Sequence, residues 1–318
     1  RHRGAHRVSA MASSARMLDV PGPDGERQVR ISSPDRQLWP GITKWDLASY
    51  TAAAGPALLR ALGDRPVTLQ RFPGGVGGEE FFSKNPPRGA PEWSRTVMCT
   101  YPSGRKHPQL VIDEAATAVW AVQMNTITFH PWPVRTANTD NPDELRIDLD
   151  PSKGVGPADL REAARATRAV LTEEGIESFV KTSGNRGLHL YVPLEARWDS
   201  FDVRRAAVAL AREVERRHPD LVTSAWWKEE RGERVFVDFY QNAPHKTVFG
   251  AWCVRPRVGA QVSCPLRWDE LDETDPQALT IDVVAERVRA DGDPWEGYSN
   301  RQRISQAMWD KLEAEPPP

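Results

Sequence analysis

The chain has 318 residues, with 42 Lys and Arg against 44 Asp and Glu, for a net charge of −2. Hydrophobic residues make up 39% and charged residues 27%, which excludes a collagen-like, coiled-coil or wholly disordered chain. No apolar run approaches the roughly 20 residues that span a bilayer, and the near-neutral total, taken alone, argues against a polyanion partner.

The length fits two domains or one elaborate domain. The charge is unevenly spread. Asp269–Pro318 holds 13 acids and 5 bases, a balance of −8, which leaves the first 268 residues at +6. This reads either as a solvated charged helix at the end or as an acidic element lying away from a basic working face. Cys99, Cys253 and Cys264 are widely spaced and form no CxxC pair. A disulfide framework or zinc ribbon is therefore not expected, and a reducing cytoplasm is the natural setting. No apolar signal-peptide region surrounds Met11. Residues 1–25 are small, polar and basic, so a flexible lead-in is expected through residue 27. A catalytic domain is expected over 28–300, and a C-terminal helix and tail over 301–318.

In chain order, Thr43 with Asp46 three residues on forms a helix-start signature, and apolar residues follow to Leu62. Pro56 should divide that helix. Val67–Leu69 reads as a strand, Gly74–Gly78 as a flexible loop, and Pro86-Pro87 as irregular chain. Glu114–Met124 reads as a helix and Thr126–His130 as a strand. Strands are expected at Leu145–Asp150, Ser178–Thr182, Gly187–Pro193 and Glu233–Tyr240. Helices are expected at Pro157–Glu174, with Pro at its start and Gly175 as its stop, and at Ser200–His218, Thr280–Ala290 and Gln302–Glu313. Strands mixed with helices in this order suggest an α+β fold.

The sharpest feature is Arg146-Ile147-Asp148-Leu149-Asp150-Pro151. Residues two apart on a strand share a face, so Asp148 and Asp150 project together while Ile147 and Leu149 enter the core. Two adjacent carboxylates repel unless a cation lies between them or one takes a proton, and oxygen ligands suit magnesium or manganese. A strand end with two solvated aspartates is the plainer alternative. Asp238 interrupts the apolar strand Val235-Phe236-Val237-Asp238-Phe239-Tyr240, where a lone carboxylate is costly to bury. Three carboxylates from two strands suit a two-metal site that activates an attacking oxygen and holds a triphosphate. Lys181-Thr182-Ser183-Gly184-Asn185-Arg186-Gly187-Leu188-His189 lies between two expected strands. Its glycines permit close backbone approach, Ser183 and backbone amides can cradle an anion, and Arg186 and His189 can add charge-assisted bonds. Alone, the segment also reads as a glycine turn in a hairpin.

Together these segments resemble the polymerase domain of bacterial ATP-dependent DNA ligase D, in the archaeo-eukaryotic primase superfamily, whose relatives include stand-alone bacterial primase-polymerases. The likeness begins near Val29–Pro40 and continues through Thr43-Lys44, Phe81–Lys84, Phe129–Trp132, Asp148–Pro151 and Thr182–His189. It ends with Phe236–Asn242, Lys246-Thr247, Val254–Pro256 and Pro265–Trp268, covering roughly residues 28–290. The resemblance implies a primase-like core with two sheets flanked by helices. It implies template-directed addition of NTPs or dNTPs to DNA 3′ ends at gaps or breaks, as in non-homologous end joining. Asp148, Asp150 and Asp238 would bind two divalent metals, Mn²⁺ or Mg²⁺. Arg71, His130, Ser183, Arg186, His189, Gln241, Lys246 and Arg255 would line the nucleotide site.

Arg36 and Lys44 would hold a recessed 5′-phosphate. Arg36 stands where lysine is common, which changes the hydrogen-bond geometry. Phe81 and Phe82 match an aromatic pair that stacks on template bases, with Lys84 beside them; core packing is the alternative reading of the pair. Gln70 stands before Arg71 where relatives often carry lysine or glutamate. Gapped or 5′-phosphorylated DNA, a DNA ligase and a Ku-type end-binding protein are the implied partners, with no membrane partner and a cytoplasmic, nucleoid-associated setting. A DNA-end-binding and synapsis module with little catalysis, and a metal-dependent phosphohydrolase, are the competing readings. The intact aspartate set argues against the first, and the basic, aromatic N-terminal segment against the second.

Overall fold

The computed structural model describes residues 14–257 and 259–313. The chain opens with β1 (Arg16–Gly22) and β2 (Gly25–Ile31), an antiparallel hairpin registered from Arg16↔Ile31 to Gly22↔Gly25. This corrects the flexible lead-in expected through residue 27. Part of that stretch lies outside the described residues, and most of the rest forms this hairpin. Val20, Val29 and Ile31 are buried, and Arg27 clamps Glu114 with bonds of 2.9 and 3.0 Å. The alternation of apolar and polar residues about a Pro-Gly-Pro-Asp-Gly turn was the overlooked signal.

Next come β3 (Gln37–Trp39), β4 (Ile42–Thr43), α1 (Lys44–Ala53) and α2 (Gly55–Leu62). Thr43 and Asp46 form the expected reciprocal capping box, and the helix divides at Ala54, just before Gly55-Pro56. The next group is β5 (Pro66–Arg71), β6 (Phe81–Ser83), β7 (Arg95–Thr100), β8 (Lys106–Val111), α3 (Ala115–Gln123) and β9 (Thr126–Pro131). They build a five-stranded sheet in which β5 pairs with β6, β8 and β9. The β7–β8 hairpin has no counterpart in the sequence reading, because Arg95, Lys106, His107 and Pro108 break the apolar alternation.

The second half holds β10 (Glu144–Pro151), α4 (Pro157–Glu173), β11 (Phe179–Thr182), β12 (Leu188–Pro193), α5 (Ser200–Arg217), β13 (Val222–Thr223) and the short α6 (Lys228–Arg231). It continues through β14 (Val235–Asp238), β15 (Pro265–Leu266), α7 (Ile281–Asp291) and α8 (Gln306–Glu313). Its six-stranded sheet runs β13-β14-β10-β12-β11-β15. The expected α+β architecture of two helix-flanked sheets is present.

Buried polar groups join the sheets. Arg65, fully buried ahead of β5, bonds Asp143 at 2.6 Å and Glu144 at 2.8 Å at the start of β10. Thr128 Oγ1 on β9 donates to the Val254 carbonyl at 2.6 Å. One apolar core runs from Val20 to Met308. The expected break at residue 300 is absent: Gln302 accepts from Glu195 N at 2.9 Å and donates to Pro193 O at 3.1 Å, and Ile304 is buried.

Candidate active site

Strand β10 lies inside its sheet, so its two faces have opposite fates. Ile147 and Leu149 are buried, and Asp148 and Asp150 share the other face. Across the ladder, Asp238 on β14 faces Asp148, and Phe236 faces Asp150. The three expected carboxylates are thus brought onto one face of two neighbouring strands.

Their proton affinities diverge. For Asp148, burial opposes ionisation, but the adjoining His189 ring and its hydrogen bond, with Lys181 and Arg255 behind, hold it below the ordinary carboxylate range. Asp150 is raised, by burial first and by Asp148 second. Burial pushes Asp238 up to about 6; the Tyr240 N–H opposes this, and the Asp148 and Asp150 charges reinforce it. Carboxylates raised by burial and by one another fit a divalent cation, and the all-oxygen donor set suits Mg²⁺ or Mn²⁺. The side chains are not yet gathered around one point. Among the described residues no three His, Cys, Asp or Glu side chains form a ligating cluster. Asp148 Oδ1 lies 3.3 Å from His189 Nε2, and Asp238 Oδ1 accepts from Tyr240 N at 2.7 Å.

The loop between β11 and β12 closes tightly on this face. Ser183 Oγ accepts from Asn185 N at 3.2 Å and Gly187 N at 3.0 Å, so the hydroxyl shapes the loop while its own proton stays available for donation. Gly184 has φ +71°, and a Cβ there would meet Arg255 Cγ at 2.4 Å. A Cβ on Gly187 would lie 2.8 Å from the Leu149 carbonyl oxygen. Both glycines are therefore required by close packing, and the first also by its left-handed backbone. Arg255 donates to the Ser183 carbonyl at 2.8 Å and stacks 3.6 Å over Phe249. Burial pushes its guanidinium down to about 10, so it stays charged at neutral pH. Arg186 is exposed, and its charge acts on Asp150.

His189 differs from its expected place. It is only 2% exposed, with one ring nitrogen toward Asp148 and the other, Nδ1, 3.1 Å from Lys181 Nζ. Lys181 also donates to Ser263 Oγ at 2.6 Å. Burial pushes Lys181 down to about 7, helped by Arg255 and Arg146. Burial and the Lys181 charge push His189 down to about 4, so the imidazole is neutral. Sequence reading assigned Lys181 no role, because a lysine in a strand signals nothing until its ammonium is seen to be buried.

His130 joins the site from the other sheet. Its Nε2 contacts Gln70 Oε1 at 2.9 Å, and Gln70 Nε2 donates to Glu80 at 2.9 Å. Since Gln70 Oε1 can only accept, His130 carries its proton on Nε2 and presents Nδ1 as an acceptor. Burial first, then Arg255 and Arg146, push its ring down to about 3, so it is neutral. Gln70 thereby acquires a place: it links Glu80 to His130. Phe249, which the sequence did not single out, joins the two halves. Its ring lies 6.4 Å from His130 and 5.0 Å from His189. Arg231 was also missed. It stacks 3.6 Å over Phe236, and its charge acts on Asp150 and Asp238.

Phe81 and Phe82 are 39% and 53% exposed, which removes core packing as their role. Phe82 meets His130 edge-on at 5.3 Å. Arg71 lies 4.9 Å from the Phe81 ring and donates to the Met124 carbonyl at 2.8 Å. Lys84 sits 4.7 Å over Tyr101. Lys246 is exposed and 5.3 Å over Tyr240, and Gln241 is half-buried. Lys44, expected to hold a 5′-phosphate, is 3% exposed, and its ammonium donates to the Ser32 carbonyl at 3.1 Å. Burial and the Arg36 charge push it down to about 8. Arg36 itself is half-buried and bonds Asn125 Oδ1 at 3.4 Å.

The family described as LigD, primase-polymerase domain, matches residues 43–295. The multifunctional non-homologous end joining protein LigD of Pseudomonas aeruginosa is 36% identical over 316 residues, which is 96% of this chain and 36% of the relative. The multifunctional non-homologous end joining DNA repair protein LigD of Mycobacterium tuberculosis is 35% identical over 283 residues, 86% of this chain and 37% of the relative. The chain thus spans about a third of the length of these curated relatives. A solved structure described as the polymerase domain from Mycobacterium tuberculosis ligase D in complex with DNA superimposes with a TM-score of 0.78 at 35% identity, covering 83% of this chain and 96% of that one. With its carboxylate face, glycine loop and aromatic N-terminal segment in place, the chain belongs to the LigD primase-polymerase domain family.

Proposed function

We propose that the chain extends DNA 3′ ends at gaps or breaks by template-directed addition of NTPs or dNTPs, as a repair polymerase in end joining. The observation that carries this reading is the placement of Asp148, Asp150 and Asp238 on one sheet face, next to a cationic glycine loop. In the reaction the primer 3′-oxygen bonds the α-phosphorus, the bond to the β-phosphate oxygen breaks, pyrophosphate departs, and the hydroxyl proton goes to water. Asp148, Asp150 and Asp238 would hold two divalent cations, which when bound would offset charge on the triphosphate and activate the attacking oxygen.

The chain's own residues position the reactants. Arg255 and Arg186 supply charge for phosphate oxygens, and Ser183 can donate its hydroxyl proton. Lys181 holds His189 with its Nε2 hydrogen toward Asp148, keeping that carboxylate in place. Neutral His130, with Nδ1 as acceptor, suits a ribose hydroxyl better than a phosphate oxygen. Lys246 and Gln241 complete the rim. Phe81 and Phe82 offer faces for template bases, where stacking contributes roughly 1–3 kcal/mol per base. Arg36, backed by the Lys44 charge, suits a 5′-phosphate. Mn²⁺ or Mg²⁺, a DNA ligase and a Ku-type protein as partners, and a cytoplasmic, nucleoid-associated setting belong to the same reading. Among the described residues no helix is long and apolar enough to cross a membrane.

Primer extension on gapped DNA with Mn²⁺ and NTPs tests this. Wild type should add one or more nucleotides, and Asp148→Ala should abolish addition. DNA binding without any extension by wild type would give the reading to the synapsis alternative. Lys44→Ala should remove the preference for a 5′-phosphorylated gap over an unphosphorylated one.

A further inference from the structure

Two of the most exposed large aromatic residues described stand side by side in the sequence: Trp226 at 47% and Trp227 at 64%. Nothing in the packing of the core calls for them there. They follow β13, and their backbone is fixed. Arg231 donates to the Ala225 carbonyl at 3.1 Å and the Trp226 carbonyl at 2.7 Å, and Ala225 N donates to Thr223 Oγ1 at 3.1 Å. The Trp226 ring lies 4.5 Å from Tyr240 and 6.5 Å from Phe236. Phe236 lies two residues before Asp238 on the same strand face and pairs with Asp150. The Trp226 indole therefore forms an aromatic wall along the β14 flank of the carboxylates, and the more exposed Trp227 follows it in the chain.

Strand order decides what that wall can meet. The sheet runs β13-β14-β10-β12-β11. The anion-suited loop Ser183–Gly187 and Arg255 lie on the β12–β11 flank of the β10 aspartates, and Trp226 and Trp227 lie on the β13–β14 flank. In nucleotidyl transfer the attacking oxygen and the leaving pyrophosphate lie roughly in line on opposite sides of the phosphorus. A triphosphate on the loop directs its leaving group toward β11, so the attacking 3′-oxygen must enter from the tryptophan side.

We propose that Trp226 and Trp227 form a stacking platform for the terminal base of the primer strand, seating its 3′-hydroxyl over the carboxylates. This rests on the polymerase reading and adds a second aromatic surface, for the strand being extended, to the Phe81–Phe82 surface proposed for the template. Aromatic stacking accepts any base, as a repair enzyme acting on arbitrary ends requires. Lys246 and Arg204, each 5.3 Å from the Tyr240 ring, supply positive charge beside the wall. Glu229 and Glu230 are also exposed nearby, so the contact is with a base face, not a string of phosphates.

A gapped duplex carrying 5-iodouracil as the primer 3′-terminal base tests this by photo-crosslinking at equilibrium, without NTP. The crosslink is expected on the peptide containing Trp226-Trp227. Trp227→Ala should cut its yield at least fivefold and raise KM for DNA by a factor of roughly 5–150, the range of one lost base stack. KM for NTP should stay unchanged, and Trp227→Phe should restore most of the loss. Trp227 is exposed, so its removal leaves the core intact, and an unchanged melting temperature verifies this. No crosslink to this peptide, a crosslink only from a template-strand iodouracil, or an unaltered KM for DNA in Trp227→Ala would overturn the proposal. If wild type extends DNA but these tests fail, the platform alone is wrong. If wild type crosslinks but extends nothing, the polymerase reading is wrong and the platform stands.

Discussion

Asp238 is the residue where pH, stability and cation binding meet. Its folded-state pKa is raised to about 6 by burial and by the neighbouring carboxylates. A raised pKa means that the protonated form is favoured in the fold. The metal-free protein therefore holds this stabilisation at pH below the ordinary aspartate value of about 4 and loses it as pH rises through about 6. A divalent cation reverses the balance, because only the ionised carboxylate ligates. The Mn²⁺-induced rise in melting temperature is expected to be small at pH 5 and larger at pH 7, and Asp238→Asn should flatten that difference. A pH-independent Mn²⁺ shift in wild type would contradict this assignment. The Asp148 and Asp150 alternation was legible in the sequence because a two-residue period fixes a common face. The neutral states of His189 and His130 were not legible, since they arise from burial and from charges on other elements, Lys181 for His189 and Arg255 with Arg146 for His130.

At the level of elements, the start of α1 shows how much local chemistry specifies. Thr43 Oγ1 accepts from Asp46 N at 3.2 Å, and Asp46 Oδ2 accepts from Thr43 N at 2.7 Å. Thr43→Ala removes one bond of this box and is expected to cost about 1 kcal/mol, read as a lowered midpoint in urea unfolding. Because Lys44 follows directly and its backbone N–H bonds the Arg36 carbonyl at 2.8 Å, the same variant should also weaken 5′-phosphate discrimination. The helix pattern from Thr43 to Leu62 and its division before Pro56 needed only sequence. The β1–β2 and β7–β8 hairpins were missed for a physical reason. Strands with one solvated face carry many charges, so their apolar count is low, and their register is set by packing on α3 and β5.

On the scale of the whole molecule, the two sheets are held by a buried charge cluster. Arg65 bonds Asp143 and Glu144, Arg146 pairs with Glu144 at 2.8 Å, and Tyr298 donates to Glu144 at 2.8 Å. Burial alone would raise Glu144, but Arg65 and Arg146 outweigh it and hold the carboxyl below its ordinary range. A depressed pKa contributes stability that is complete above the unfolded value of about 4.3 and is lost as the pH falls below it. Acid unfolding should begin there. Glu144→Ala leaves Arg65 and Arg146 short of a partner and is expected to cost about 3–5 kcal/mol, measured by chemical denaturation. A loss below about 1 kcal/mol would show that the cluster does not bind the sheets together.

By itself, the sequence determined the alternation that aligns Asp148 with Asp150, the glycines that let Ser183–Gly187 close, the capped and Pro-divided first helix, and the family likeness that runs through them. These depend on neighbours a few residues apart, where backbone geometry alone decides. Only the tertiary structure placed Asp238 opposite Asp148, turned His189 inward onto Lys181, covered Lys44, brought His130 and Phe249 across from other elements, and set Trp226 and Trp227 on the far flank of the carboxylates. The reason is the same in each case: burial and strand order are properties of the assembled sheets, and they govern which charges face each other and which side of the site stays open. The neutral net charge met at the start reflects the same division, averaging a cationic loop, an anionic strand face and an acidic C-terminal segment.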